Sequence, residues 1–183
     1  MQHMMAQGML RDSLPAGVSV PPLLVRLASY QDGRNRLPSG LEFDDGGRAA
    51  ALDWTKENQQ EADQFVLFMI DEVASNYGYW RYDGQSLDEA PLVYLSSEGV
   101  DNTVLANSLE DFVRIIALGA GNLGMWRQSY EDVRLDENTT RFREWLSAEM
   151  GIVAPTTAEA RAIIETARGQ HPDIDQWVAE RWE

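Results

Sequence analysis

The sequence predicts an α+β fold: a central, mostly antiparallel β-sheet with flanking helices and a C-terminal helical extension. Between residues 65 and 106, short apolar or aromatic runs alternate with turn residues, which is typical of a meander rather than of alternating strands and helices. From residue 108 onwards the apolar residues recur at helical spacing instead. We therefore expect an α+β domain over residues 14–124 and a helical extension over residues 125–183 that packs on this core.

The strands of the meander are predicted from their apolar runs. We expect strands at 65–73, 76–82, 92–95 and 103–106. A further hairpin is predicted earlier in the chain, where Asp44-Asp45-Gly46-Gly47 separates the runs 41–43 and 49–54, because Asp-Gly and Gly-Gly favour tight turns between strands.

Helices are predicted from apolar spacing and from their end signals. Pro22 suits the first turn of a helix over 22–30. A second helix begins at Ser108, which forms a capping-box-like pair with Asp111, and ends at Gly119. Thr156 or Thr157 is expected to cap a tail helix. The remaining expectations are tail helices at 139–150, 157–169 and 173–182, a loose start over 1–13, a loop or short exposed helix over 56–64 and mixed structure over 125–136.

Charge is the strongest compositional signal. Thirty acidic residues against fifteen basic ones give a net charge of −15, which disfavours binding to nucleic acids and to anionic membrane surfaces. The same charge would attract a basic protein partner and accelerate the encounter, although solubility alone also explains an acidic surface. The chain has no cysteine, which excludes disulfides and thiol chemistry. No targeting segment or membrane span is evident, so we expect a cytoplasmic protein.

Chemistry-bearing patterns are weak. The glycines of 119–124 fit G-x-G-x-x-G, but the helix expected before them makes them a helix terminator, and no cofactor is predicted. The two histidines, His3 and His171, have no nucleophile nearby in the sequence, and no metal-ligand spacing occurs. Asp71 and Glu72 are expected to be a solvated strand end. We predict no catalytic or metal-binding residue and no enzymatic activity.

Contacts with a protein partner are predicted where acidic residues cluster in the sequence, on the turn at 44–47 and in the loop that follows 49–54. The candidate residues are Asp44, Asp45, Glu57, Glu61 and Asp63. The alternative explanation for these residues is an ordinary solvated surface. The six tryptophans are expected mainly in packing, with Trp182 the strongest candidate for an exposed anchor of a partner.

The order of five segments resembles one family. The segments are RAAALDWT at 48–55, FVLFMIDEV at 65–73, YGYWRY at 77–82, APLVYLSSEG at 90–99 and TVLANSLEDFVRIIALG at 103–119. This order resembles the SMI1/KNR4 (SUKH) superfamily over about residues 20–120, and the helical tail lies outside the resemblance. Trp80, Pro91 and Glu98 match family motif positions and are expected to be structural, with Glu98-Gly99 forming a turn.

The resemblance implies an α+β fold and a non-enzymatic binding role. Bacterial members are largely immunity proteins that neutralise polymorphic toxins, often nucleases, and fungal relatives are regulatory adaptors. We therefore expect an immunity protein that covers the substrate groove of a basic toxin domain. The alternative is a regulatory or scaffold adaptor with no toxin partner. Self-association through the helical tail is compatible with both.

Overall fold

A computed structural model describes residues 5–33 and 35–182, and only the backbone of residue 182. In this part of the chain the predicted α+β class is confirmed, because helices flank a five-stranded antiparallel sheet. Each strand pairs with the next strand of the chain, so the sheet is a simple meander. The strands are β1 (Glu42–Phe43), β2 (Phe65–Ile70), β3 (Asn76–Trp80), β4 (Leu92–Leu95) and β5 (Thr103–Ala106).

The helices lie before, within and after the sheet in the chain. They are α1 (Met5–Ser13), α2 (Pro22–Asp32), α3 (Gly47–Trp54), α4 (Gln59–Ala62), α5 (Leu109–Leu118), α6 (Leu123–Ser129), α7 (Glu137–Met150), α8 (Thr157–Gln170) and α9 (Ile174–Trp182), with a short 3-10 helix at Pro38–Gly40. None of the helices in the described ranges has the length and apolar character needed to cross a membrane.

The central strands are apolar throughout because both faces of the sheet are covered. In β2, Val66 and Phe68 belong to one apolar cluster, and Phe65 and Leu67 belong to a second. Successive side chains of a strand point to opposite faces, so the two clusters lie on opposite sides of the sheet. Helices α1, α2, α5 and α7 contribute to the first cluster, and α3 and α9 contribute to the second.

The predicted hairpin around residues 44–47 is wrong. Strand β1 pairs with β2, and the glycines begin helix α3 rather than a turn between two strands. An alanine-rich run such as 49–51 favours a helix, and Ala51 is buried in the second cluster. Gly47 lets the helix approach β2 closely, because a Cβ atom there would lie 2.0 Å from the carbonyl oxygen of Leu67.

The loose start expected over residues 1–13 is also wrong for the residues that the structure describes. Helix α1 buries Ala6 and Leu10, which are one turn apart on its inner face. Its first turn is held by Asp32 of α2, whose carboxylate accepts a 2.8 Å hydrogen bond from the backbone N–H of Ala6. Residues 125–129 of the segment predicted to be mixed belong to α6, and the side chain of Asn122 caps the start of this helix.

The C-terminal helices complete both apolar clusters. Phe142 and Leu146 of α7 join the first cluster, and Trp177 of α9 joins the second. The predicted end signals are confirmed at Ser108, which caps α5, and at Thr156, which forms a full capping box with Glu159 at the start of α8. The side chain of Trp182, the predicted exposed anchor, lies outside the described residues.

Candidate protein-binding surface

The acidic residues predicted to bind a partner lie around helices α3 and α4. Asp44 and Asp45 lie just before α3, and Glu57 lies just beyond its end. The helix has 8 residues, which at 1.5 Å each separates its ends by about 12 Å. Asp45 and Glu57 are exposed, whereas Asp44 is half-buried and accepts a 2.8 Å hydrogen bond from the backbone N–H of Gly46.

The other two predicted residues already have cationic neighbours within the chain. Asp63 lies 2.7 Å from a guanidinium nitrogen of Arg48. Glu61 lies 3.5 Å from Arg181 and accepts a 2.6 Å hydrogen bond from the side-chain amide of Gln64. Their charges are therefore partly compensated, and the role of the five residues as partner contacts stays a prediction.

The glycine pattern at 119–124 is a helix terminator, as expected, and not a dinucleotide fingerprint. The segment follows α5 rather than a strand, and Gly119 ends that helix in the left-handed conformation with φ of 80°. Gly124 is required for packing, because a Cβ atom there would lie 2.3 Å from the hydroxyl oxygen of Tyr94.

The side chain of His171 links the helical tail to residues that follow strands β3 and β5. Its Nδ1 lies 3.1 Å from the hydroxyl of Tyr82, and its Nε2 lies 2.8 Å from the side-chain oxygen of Asn107. Burial lowers the pKa of its imidazole. The other histidine, His3, lies outside the described residues. In the described part of the chain, no group of three or more His, Asp or Glu side chains is placed to hold a metal ion.

One end of the sheet combines rigid turns with exposed apolar side chains. In a meander the β2–β3 and β4–β5 turns emerge at the same end, and a 3.3 Å hydrogen bond from the N–H of Ser97 to the Oγ of Ser75 joins them. Helix α6 lies beside them, since the guanidinium of Arg127 donates a hydrogen bond to the carbonyl oxygen of Asp101. We call residues 71–75, 96–102 and 122–127 the turn end.

Asp71 organises the β2–β3 turn from inside the protein. Its carboxylate accepts hydrogen bonds from the backbone N–H groups of Val73 at 3.1 Å and Ser75 at 2.9 Å, and from the hydroxyl of Tyr77 at 2.8 Å. Burial and the adjacent Asp71 charge raise the pKa of Tyr77, which keeps its hydroxyl a donor. The expectation of a solvated strand end is wrong for Asp71, which is buried, and right for Glu72, which is exposed.

Asn102 fixes the β4–β5 turn in a similar way. Its side-chain oxygen accepts a 2.9 Å hydrogen bond from the N–H of Ser96, and its amide donates a 2.6 Å hydrogen bond to Asp175 of α9. The predicted turn at Glu98-Gly99 is confirmed, with the N–H of Gly99 bonded to the carbonyl of Ser96 and φ of 76° at the glycine. Both turns are thus held by buried or half-buried polar groups.

The turn end presents three large apolar side chains to solvent. Val73, Val100 and Met125 are 55%, 56% and 72% exposed. Carboxylates flank Val73 and Val100 in their turns, and Glu72, Glu98 and Asp101 are all exposed. Single apolar residues within polar turns, as in Glu-Val-Ala and Gly-Val-Asp, are the sequence signal that points to this surface, whereas acidic residues alone do not indicate it.

Comparisons with family models, with curated proteins and with solved structures found no match for this chain.

Proposed function

We propose that this chain is a non-enzymatic, cytoplasmic protein whose turn end binds a basic partner protein. The observation that supports this most is the placement of Val73 and Val100 on turns that internal hydrogen bonds hold in place, with carboxylates beside them and Met125 on the neighbouring helix α6. Exposed apolar side chains with a polar rim are the usual composition of a protein interface.

Rigidity of the turns favours tight binding. A surface that is ordered before the encounter loses less conformational freedom on association. Asp71 and Asn102 supply that order, since each bonds to more than one backbone or side-chain group of the turns. The flanking carboxylates and the net charge of −15 would accelerate association with a cationic surface and orient it.

The resemblance to the SMI1/KNR4 superfamily suggests what the partner is. Immunity proteins of that superfamily neutralise toxins, many of which cleave nucleic acids and therefore carry basic grooves. In our proposal the turn end covers such a groove, with the apolar side chains at the centre of the contact and the carboxylates in place of substrate phosphates. Asp45 and Glu57, exposed near α3, are available for further contacts.

The test uses a basic nuclease toxin domain, taken from a neighbouring gene where one encodes it, with the purified protein. We expect a complex by calorimetry and restored growth when both chains are co-expressed. Val73→Asp and Val100→Asp should each weaken binding by roughly 30-fold or more, the loss typical of an interface hot spot. Val153→Asp is the matched control, because Val153 is 69% exposed in the α7–α8 connection, and it should bind like the wild type.

Two results would contradict the proposal. If the toxin domain binds, but Val153→Asp lowers the affinity as much as Val73→Asp and Val100→Asp do, the turn end is not the interface. If no complex forms and growth is not restored, the immunity role is wrong. Binding should also weaken as salt rises from 0.05 to 0.5 M, because screening reduces the attraction between the carboxylates and a basic groove.

A further inference from the structure

A groove between α2 and α7 has the size of a small-molecule site. Its volume is about 530 Å³. Small-ligand sites commonly measure about 300–1,000 Å³. The groove lies on different elements from the turn end. It is lined by Arg26, Ser29, Tyr30, Asn35, Arg141 and Trp145.

The polar lining of the groove consists of cations, a hydroxyl and an amide. None of its described lining residues is a carboxylate, although the chain has twice as many acidic as basic residues. Arg26 and Arg141 reach it from two different helices. Guanidinium groups donate hydrogen bonds in a planar fork that matches a carboxylate or a phosphate. The lining is therefore suited to an anion.

Both arginines are available to a ligand. Arg26 lies 2.9 Å from Glu149 and Arg141 lies 2.8 Å from Glu137, and neither glutamate lines the groove. These ion pairs are exposed, and exposed pairs contribute about 0–1 kcal/mol, so an anion bound in the groove can replace them at little cost.

Aromatic rings form the apolar wall. The rings of Tyr30 and Trp145 lie 4.6 Å apart between centroids, and Phe142 supports Tyr30 from the core at 5.3 Å. Trp145 is only half-buried, which leaves part of its indole open to the groove. Aromatic faces of this kind bind planar rings by stacking.

The hydroxyl of Tyr30 lacks a hydrogen-bond partner in the described part of the chain. The residue is 7% exposed, and a buried hydroxyl without a partner costs roughly 1–3 kcal/mol, so its retention asks for an explanation. Burial raises the pKa of this phenol more strongly than the positive charge of Arg141 lowers it, so the hydroxyl stays protonated.

We propose that the α2–α7 groove binds a small planar organic anion, with its ring against Trp145 and its carboxylate or phosphate between Arg26 and Arg141. This site is separate from the protein-binding surface and would add a ligand of a different class to the function proposed above. The two helices belong to the N-terminal and C-terminal parts of the chain, so the ligand would bridge them.

The test is calorimetric titration of the full-length protein with four probes. Adenosine monophosphate carries a phosphate on a planar base, and benzoate carries a carboxylate on a ring. Adenosine lacks the anion, and inorganic phosphate lacks the ring. We expect adenosine monophosphate or benzoate to bind with a Kd of about 1 mM or lower, and adenosine and inorganic phosphate to bind at least about tenfold more weakly. Binding of adenosine monophosphate would indicate a site for phosphate, and binding of benzoate would indicate a site for carboxylate.

Variants assign the binding to the groove. Arg26→Gln and Arg141→Gln should each weaken the bound probe about tenfold or more, because each removes a charged donor. Arg161→Gln is the matched control. Arg141 and Arg161 have the same side-chain exposure, 57%, and each forms an ion pair within its own helix, Arg141 with Glu137 and Arg161 with Glu165. Trp145→Phe should reduce the change of tryptophan fluorescence on binding. The proposal is overturned if neither anionic probe binds below about 5 mM, if adenosine or inorganic phosphate binds as tightly, or if Arg161→Gln weakens binding equally.

Discussion

The hydroxyl of Tyr77 donates a 2.8 Å hydrogen bond to the carboxylate of Asp71, and both side chains are buried. The tyrosine comes from strand β3 and the aspartate from the turn that precedes it, so the bond holds the turn against the strand. Two backbone N–H groups bond to the same carboxylate. The shape of the β2–β3 turn therefore depends on one acidic side chain in the protein interior.

Replacing Asp71 should destabilise the protein more than replacing its partner. Asp71→Ala leaves buried donors of Ser75 and Tyr77 unpaired, and we expect a loss of about 2–4 kcal/mol in the free energy of unfolding. In Tyr77→Phe the carboxylate of Asp71 keeps its bonds to backbone N–H groups, so the free energy of unfolding should fall by only about 1–2 kcal/mol. Urea denaturation followed by circular dichroism measures both. Equal losses in the two variants would show that the backbone bonds to Asp71 contribute little.

Gly78 should tolerate no side chain. A Cβ atom at this position of β3 would lie 2.1 Å from the carbonyl oxygen of Val66 on the adjacent strand. We expect Gly78→Ala to cost about 3 kcal/mol or more, at the upper end for overpacking. Gly169→Ala in α8 is the matched control, since no atom lies within 4 Å of its added methyl group, and it should stabilise by up to about 1 kcal/mol. Thermal unfolding of both variants tests this, and a Gly78→Ala protein as stable as the wild type would contradict it.

The local parts of the fold were predictable and the long-range parts were not. Strands β4 and β5 are predictable from their apolar runs and from the turn residues that bound them. The cap at Ser108 is predictable because its hydroxyl lies three residues before the backbone N–H of Asp111, which needs an acceptor at the start of α5. The sequence alone does not identify the helix over residues 49–54, because a short apolar run does not distinguish a strand from a buried helix. Its alanines favour the helix that forms.

The candidate surface depends on pairs that are distant in the sequence. Asn102 and Asp175 are 73 residues apart, and Asp71 and Asn122 are 51 apart, yet each pair meets beside the turns. No local spacing indicates such contacts. The acidic residues predicted as contacts lie within residues 44–63, and their spacing does not show that helix α3 separates Asp45 from Glu57. Nor does it show that Arg48 and Arg181 lie near Asp63 and Glu61.

The C-terminal helix should be necessary for stability. Trp177 of α9 makes edge-to-face contacts with Phe65 at 6.1 Å and Trp80 at 5.4 Å, and it closes the second apolar cluster. Trp177→Ala should cost about 3–5 kcal/mol, the usual range for deleting a buried aromatic side chain. Gln176→Ala, on the exposed side of the same helix, should cost less than about 0.5 kcal/mol. Urea denaturation compares them, and a small loss for Trp177→Ala would show that α9 is dispensable.

Stability should fall as the pH is lowered through the range in which His171 titrates. Burial lowers the imidazole pKa below 6.5, so the unfolded chain takes up this proton before the folded protein does. The contribution is therefore fully present above about pH 6.5, the ordinary value, and is lost as the pH falls through the lower pKa of the folded state. The hydrogen bonds agree, because a neutral ring accepts from Tyr82 at Nδ1 and donates to Asn107 at Nε2, whereas a protonated ring has no acceptor.

NMR titration of a His3→Gln variant measures this pKa directly, since His171 is then the only histidine of the chain. We expect a midpoint below 6.5 in the folded protein. The urea midpoint of the same variant should decrease from pH 7.5 to pH 5.5, and His171→Gln in that background should remove part of this decrease. Carboxylates titrate at lower pH and remain in both proteins, so the difference between the two curves isolates the imidazole. A midpoint at or above 6.5 would mean that the contacts with Tyr82 and Asn107 favour the charged ring, and the stability difference would then have the opposite sign.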